Sequence, residues 1–161
     1  MQTLTRRATL LGLVATLSAC GTRQSEGRSR PETGPFDPPL HVNETPGLRR
    51  LIDQYADQYE VPRSLVHRII IRESHHRPGA RNGPYYGLMQ ILPATARGMG
   101  FRGPDQALLD AETNLKYGVK YLRGAWLLAD GSQDTAVKWY SKGYYYEAKR
   151  RGMLKETGLR S

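Results

Sequence analysis

The sequence predicts an all-α domain preceded by a segment without regular structure. From Thr45 onward, apolar residues recur at three- and four-residue spacing, the period of an amphipathic helix. No run alternates in the manner of a strand, and no internal repeat occurs. Before Thr45, residues 21–45 hold Gly21, Gly27, Pro31, Gly34, Pro35, Pro38 and Pro39 among polar residues with no apolar period. That stretch reads as a disordered tether, with a root-mean-square span of about 25–30 Å.

The helices follow in order. Thr45 is a cap candidate and Pro46 a first helical residue, with Leu48, Leu51, Ile52, Tyr55 and Tyr59 on one face. Val61-Pro62 breaks that helix. Pro62 opens a second, with Leu65, Val66, Ile69 and Ile70 along one side. Pro78, Gly79, Gly83, Pro84 and Gly87 mark a loop. A short helix spans Pro93 to Gly98, and Gly100, Gly103 and Pro104 mark another irregular stretch. Asp110 caps the longest helix, whose apolar positions are Leu115, Val119, Leu122, Trp126 and Ala129, with Gly131 as its stop. Ser132 caps a last helix carrying Ala136, Val137, Trp139 and Tyr140. The expected domains are residues 1–19, 20–45 and 46–161.

The first of these reads as a secretory signal. Arg6 and Arg7 form a charged start, Leu10 to Leu17 a short apolar run, and Ser18 and Ala19 are small. The run is too short to cross a bilayer as a helix. Leu17-Ser18-Ala19-Cys20 resembles the bacterial lipobox, which implies cleavage before Cys20 and acylation of that residue. Two or three acyl chains, at about 0.8 kcal/mol per buried methylene, would hold the chain at a membrane. Thr22 stands where some bacteria place an Asp for inner-membrane retention, so the expectation is an outer-membrane lipoprotein facing the periplasm. Arg6-Arg7 fits a twin-arginine export signal only in part.

Charge and cysteine narrow the function classes. The formal charge is +9, and losing Arg6 and Arg7 with the signal leaves +7. A basic surface suits nucleic acid, an anionic membrane or an acidic polymer. The dispersed Arg and Lys argue against a groove-reading nucleic-acid module. Cys20 is the one cysteine, so the chain has no disulfide framework and no multi-cysteine zinc site. The adjacent pair His75-His76 lacks the spacing of a helical metal site, and both are expected at the surface. No metal and no cofactor are expected. Ten tyrosines against two phenylalanines suit a groove wet on one edge, although most of the ten are expected at the core margin.

Glu73 is the residue best placed for chemistry. It lies four residues after Ile69 and three after Ile70, on the apolar face of its helix and near the helix C-terminus. Burial and the negative end of the helix dipole both raise a carboxyl pKa, so such a group can hold and donate a proton near neutrality. From position alone, a surface ion pair with Arg68 or Arg72 is the competing reading.

The residues that follow decide between them. Glu73-Ser74 precedes Tyr86-Gly87-Leu88-Met89-Gln90-Ile91-Leu92-Pro93-Ala94-Thr95-Ala96. A second block runs from Leu109-Asp110 through Asn114-Leu115 to Gly118 and Tyr121-Leu122, and a third holds Ala136, Tyr140 and Gly143. Together they resemble the lytic transglycosylases of the soluble type, from about Leu48 to Tyr146. The resemblance implies a goose-lysozyme-like helical fold with a substrate groove. It also implies cleavage of the β-1,4 bond between N-acetylmuramic acid and N-acetylglucosamine in peptidoglycan, with a 1,6-anhydro product and Glu73 as acid/base. The same resemblance places Met89 and Gln90 at the sugar groove, with Ser74 and Tyr86 beside it, and Tyr140 where its hydroxyl could orient Glu73.

Residue chemistry adds that Gly87 permits close backbone approach to a ligand and that the Gln90 amide suits an acetamido group. Met89 could equally be core, and Asp110 and Asn114 read as structural. Two departures stand out. Tyr140-Ser141-Lys142-Gly143 replaces the usual Tyr-Asn-x-Gly, and Asn82-Gly83-Pro84-Tyr85-Tyr86 fills a loop that often carries Ser. Two alternatives remain open: a lysozyme-type hydrolase, for which Asp105 and Asp110 are the nearest second carboxylates, and a non-catalytic peptidoglycan-binding lipoprotein.

Overall fold

The computed structural model describes residues 36–160. The secretory signal, Cys20 and the tether up to residue 35 lie outside the described residues.

Each main helix begins at a residue whose side chain or ring suits a helix start. Thr45 Oγ1 accepts from Leu48 N at 3.1 Å and opens α1, Pro46–Gln58, with Pro46 at its first position. Pro62 precedes α2, Arg63–Ser74, which ends where His75 turns left-handed at φ 51°. Two two-residue strands, β1 (Arg81–Asn82) and β2 (Tyr85–Tyr86), pair antiparallel around Gly83-Pro84. After them come α3, Pro93–Gly98, and a 3₁₀ helix over Asp105–Leu109. Asp110 Oδ1 accepts from Thr113 N at 2.8 Å to start α4, Ala111–Leu127. Ser132 Oγ accepts from Thr135 N at 3.2 Å to start α5, Gln133–Lys142, and α6 follows over Tyr145–Arg150. The domain is all-α with a lysozyme-like helical character, as the sequence predicts; the hairpin is its one small sheet among the described residues.

Helix α4 is the axis of the domain, contacting α1, α3, α5 and the 3₁₀ helix. Its Leu115, Val119 and Leu122 meet Ile52 of α1 and Leu65, Ile69 and Ile70 of α2 in one wholly buried cluster. Full burial of each such side chain contributes about 1.5–3 kcal/mol. Ala125 and Leu128 complete the α4 core face, while Trp126 is only partly buried. A second cluster, Tyr86, Ile91, Ala96, Phe101 and Leu108, lies beneath the hairpin.

Several expectations need correction. The irregular stretch after Gly103 contains the 3₁₀ helix, and α5 is followed by α6 rather than being the last helix. Local propensity missed both because each is a short element positioned by packing, Leu108 and Ala148 being wholly buried. Residues 36–45, read as tether, lie against the domain. The Arg49 guanidinium grips Glu44 through Nε–Oε1 at 2.7 Å and Nη2–Oε2 at 2.8 Å, and donates to the Pro38 carbonyl at 3.0 Å. No apolar period announces this contact, since a buried ion pair carries it.

His76 is also misread as surface: it is 1% exposed, packed beside His67 and Glu44, whereas His75 is exposed. Burial raises the Glu44 carboxyl, but the Arg49 hydrogen bonds and the His41 N–H outweigh it and hold the group down at about 2. Glu44 therefore stabilises the fold above its ordinary range, and that contribution is lost as pH falls through it toward 2. Arg49→Met, which leaves Glu44 buried and unpaired, is expected to cost about 3–5 kcal/mol in urea denaturation at neutral pH.

Candidate active site

Glu73 sits one residue from the end of α2, beside the wholly buried Ile69 and Ile70 turn. Its side chain keeps 23% of its exposure, so it is half sunk in apolar surroundings yet open to solvent on one side. Burial pushes its carboxyl above the usual range, opposed by the Arg72 guanidinium, whose Nε lies 3.6 Å from Oε1. The two sequence readings of Glu73 thus coexist: the ion pair is present, and desolvation is the larger effect.

The loop from Tyr86 to Ile91 is folded onto this region by backbone bonds and one asparagine. Tyr86 and Ile91 exchange backbone hydrogen bonds at 3.2 and 3.1 Å, closing the loop at its neck. Asn114 of α4, fully buried, accepts from Met89 N at 2.9 Å and donates to the Tyr86 and Leu108 carbonyls at 2.8 and 2.7 Å. It ties the loop, the 3₁₀ helix and α4 at one point, the structural role expected of it. Asp110 likewise acts as the α4 cap.

Gly87 is required by this arrangement. At φ +72°, a Cβ on it would stand 2.2 Å from Asn114 Nδ2 and 2.4 Å from the Leu108 carbonyl oxygen. The close approach is therefore to Asn114 and Leu108.

Met89 is wholly buried and packs on Gly118, so its side chain belongs to the core and does not line a groove. Its backbone matters instead, because the Tyr140 hydroxyl donates to the Met89 carbonyl at 2.8 Å. That bond also corrects the expectation for Tyr140: its proton goes to Met89, not to Glu73. The two side chains are nonetheless close enough that, after burial, the Glu73 charge is the next cause raising the Tyr140 phenol well above its usual value. Ser74 is 1% exposed, with Oγ donating back to the Ile70 carbonyl at 3.3 Å, so it finishes the helix rather than meeting a sugar.

Gln90 adopts a left-handed φ of 47°, and its Nε2 donates to the Gly87 and Ala80 carbonyls at 2.9 and 3.2 Å. This bracing occupies the donor end of the amide. Tyr86 is buried beneath the Arg81 guanidinium, 4.7 Å from its ring centre, while its neighbour Tyr85 is exposed. Ser141, at the departure in the third block, donates to the Val137 carbonyl at 2.9 Å.

The carboxylates considered as a second catalytic group have other partners. Asp105 pairs with Arg97, and the Thr113 N–H holds the Asp110 carboxyl below its usual range. Glu112 accepts from the Tyr55 hydroxyl at 3.1 Å. Asp110 and Glu112 share a cavity of about 440 Å³ with Tyr55, Phe101 and Tyr117, and Glu73 is not among its lining residues.

No solved structure matches the chain. Residues 50–154 match the family model described as the transglycosylase SLT domain, over more than half of the chain's length. The half-buried Glu73, the Asn114-bound loop and this match agree, and the chain belongs to the transglycosylase SLT domain family, with a catalytic-domain type directed at peptidoglycan.

Proposed function

We propose that the protein is a lytic transglycosylase in which Glu73 alone serves as acid and then base. The observation that carries this reading is a half-buried carboxyl, Glu73, whose pKa burial raises, while Asp105 is paired with Arg97 and Asp110 caps α4. Hydrolysis of a glycosidic bond ordinarily requires two such groups. Glu73 protonates the oxygen linking N-acetylmuramic acid to N-acetylglucosamine, and that bond breaks. Positive charge develops at the muramic anomeric carbon. The hydroxyl on carbon 6 of the same residue attacks it, and its proton passes to the Glu73 carboxylate. The product is the 1,6-anhydro sugar, and Glu73 ends as it began. Intramolecular attack gains the proximity advantage of a held nucleophile.

Of the residues proposed at the sugar, Gln90 keeps its amide oxygen as an acceptor, while Tyr140 positions the Met89 carbonyl. The Leu17-Ser18-Ala19-Cys20 run supports acylation at Cys20, and Thr22, where an Asp would favour inner-membrane retention, supports attachment to the outer membrane facing the periplasm.

The test is mass spectrometry of products from purified sacculi incubated with the full chain in detergent. A fragment starting at residue 46 would lack Glu44 and leave Arg49 unpaired. Anhydromuramic ends are expected. Reducing muramic ends would replace the reading with a hydrolase. Sedimentation with sacculi without soluble product would make the protein a peptidoglycan-binding lipoprotein.

A further inference from the structure

Glu44, His67 and His76 come from three separate parts of the chain: the segment before α1, the middle of α2 and the turn after Glu73. All three are buried, and one ligand atom from each lies within 4.8 Å of the others. The separations are 3.2 Å between His67 Nδ1 and His76 Nε2, 3.6 Å from Glu44 Oε1 to His67 Nδ1, and 3.7 Å from Glu44 Oε1 to His76 Nε2. Four ligands placed tetrahedrally about 2.0–2.1 Å from a zinc ion stand about 3.3–3.4 Å from one another. The three atoms already form approximately one face of such a tetrahedron.

The count of free lone pairs agrees. Glu44 Oε2 accepts from Arg49 Nη2 and the His41 N–H, at 2.8 and 3.0 Å. Oε1 accepts only from Arg49 Nε at 2.7 Å, which leaves it one lone pair for the histidine side. Arg49 thus orients the carboxylate from behind.

Without an ion, the histidine pair has no tautomer that satisfies its surroundings. If His67 Nδ1 donates to His76, His67 Nε2 has no proton and confronts Asp53 Oδ1, another acceptor, at 3.7 Å. If His76 Nε2 donates instead, His76 Nδ1 is left as a buried acceptor without a donor. Asp53 Oδ1, His67 Nε2 and His76 Nδ1 all lack a hydrogen-bond partner among the described residues. An ion bound to Nδ1 of His67 and Nε2 of His76 removes the competition of the two facing nitrogens for one proton. Both outer nitrogens then carry protons: His67 Nε2–H faces Asp53 Oδ1 at 3.7 Å, the carboxylate–histidine–metal arrangement that orients metal-binding imidazoles, while His76 Nδ1–H has no acceptor among the described residues.

The backbone is also held to this end. His75 and His76 adopt successive left-handed conformations, φ 51° and 59°, which residues bearing a side chain rarely take. The Asn43 amide pins the turn by donating to the His75 carbonyl at 2.9 Å.

We infer that Glu44, His67 and His76 form a binding site for a divalent transition metal of the zinc class, with Asp53 supporting His67 and the fourth position taken by water. The ion would fasten the segment before α1 to both sides of Glu73, bracing the end of the helix that carries it. The charges around it are Glu44 and Asp53 against Arg49, with Asp37 on the far side of Arg49 at 3.4 Å.

The untagged full chain in detergent, stripped with chelator, is titrated with Zn²⁺ and with Co²⁺. One ion per chain is expected, with a melting temperature that rises on Zn²⁺ addition and falls again with chelator. The Co²⁺ form should show the intense visible bands of tetrahedral coordination. Asp53→Asn should weaken binding about 10–100-fold. His75→Gln should leave it unchanged, and His76→Gln should abolish it. Failure of the wild-type chain to take up an ion, or tetrahedral Co²⁺ bands that persist in His76→Gln, overturns the assignment. If His76→Gln does not fold, wild-type stoichiometry and the Asp53→Asn affinity decide it. None of these readings depends on glycan cleavage.

Discussion

Glu73→Gln is expected to fold and to lose sacculus cleavage by about 10²–10⁴-fold or more, the range removed with a general acid/base. The amide keeps the size and polarity of the side chain but cannot deliver a proton to the leaving oxygen. Mass spectrometry of released muropeptides reads the loss, and wild-type release of anhydromuropeptides by this variant would remove Glu73 from the mechanism.

Two pH dependences accompany it. Cleavage needs protonated Glu73, so the rate should fall as pH rises through its raised pKa. An added acidic limb from a second titrating carboxylate would point to the hydrolase reading.

The stability effect has a definite sign. The folded state holds the Glu73 proton more tightly than the unfolded chain does. Stability therefore declines as pH rises from the ordinary glutamate range through the raised value. Gln has no such cost, so Glu73→Gln should be at least as stable as wild type at neutral pH, and the difference should vanish in acid. A variant that melts lower at neutral pH would mean that the Arg72 contact outweighs desolvation.

A stability effect as large as that of Arg49→Met is expected at Asn114. Asn114→Ala leaves Met89 N and the Tyr86 and Leu108 carbonyls buried without their partner. Each orphaned group costs about 1–3 kcal/mol, and partial relaxation should hold the total near 3–5 kcal/mol. Urea denaturation measures it, and a loss below about 1 kcal/mol, the size of one net hydrogen bond, would contradict the knot described.

Gly87→Ala should rival it, at about 3 kcal/mol or more, because its Cβ meets both Asn114 and the Leu108 carbonyl while φ stays positive. Combining the two changes should cost less than their sum, since Asn114→Ala removes one of the two clashes. Both changes also reach the chemistry. Met89 lies between Asn114 and the Tyr140 hydroxyl, so a displaced loop moves Tyr140 relative to Glu73.

Much of the fold was legible because its signals are local. Caps at Thr45, Asp110 and Ser132 use side chains within three residues of the amides they bind, and the face from Leu65 to Ile70 is a helical period. Glu73 could be singled out for the same reason, since its burial follows from its place on that face. Resemblance then supplied the block from Gly87 to Gln90, but not what each residue touches.

Those contacts depend on pairs distant in the chain. Tyr140 reaches Met89 across 51 positions and Asn114 reaches Tyr86 across 28. Burial likewise converted His76 from an expected surface residue into a member of a polar cluster, because two left-handed residues turn it inward beneath Glu44. By itself the sequence determined α1 to α5 and the place of Glu73 near the end of α2. Tertiary structure decided which polar groups are enclosed together, because desolvation and hydrogen bonding across separate segments depend on positions that no local pattern encodes.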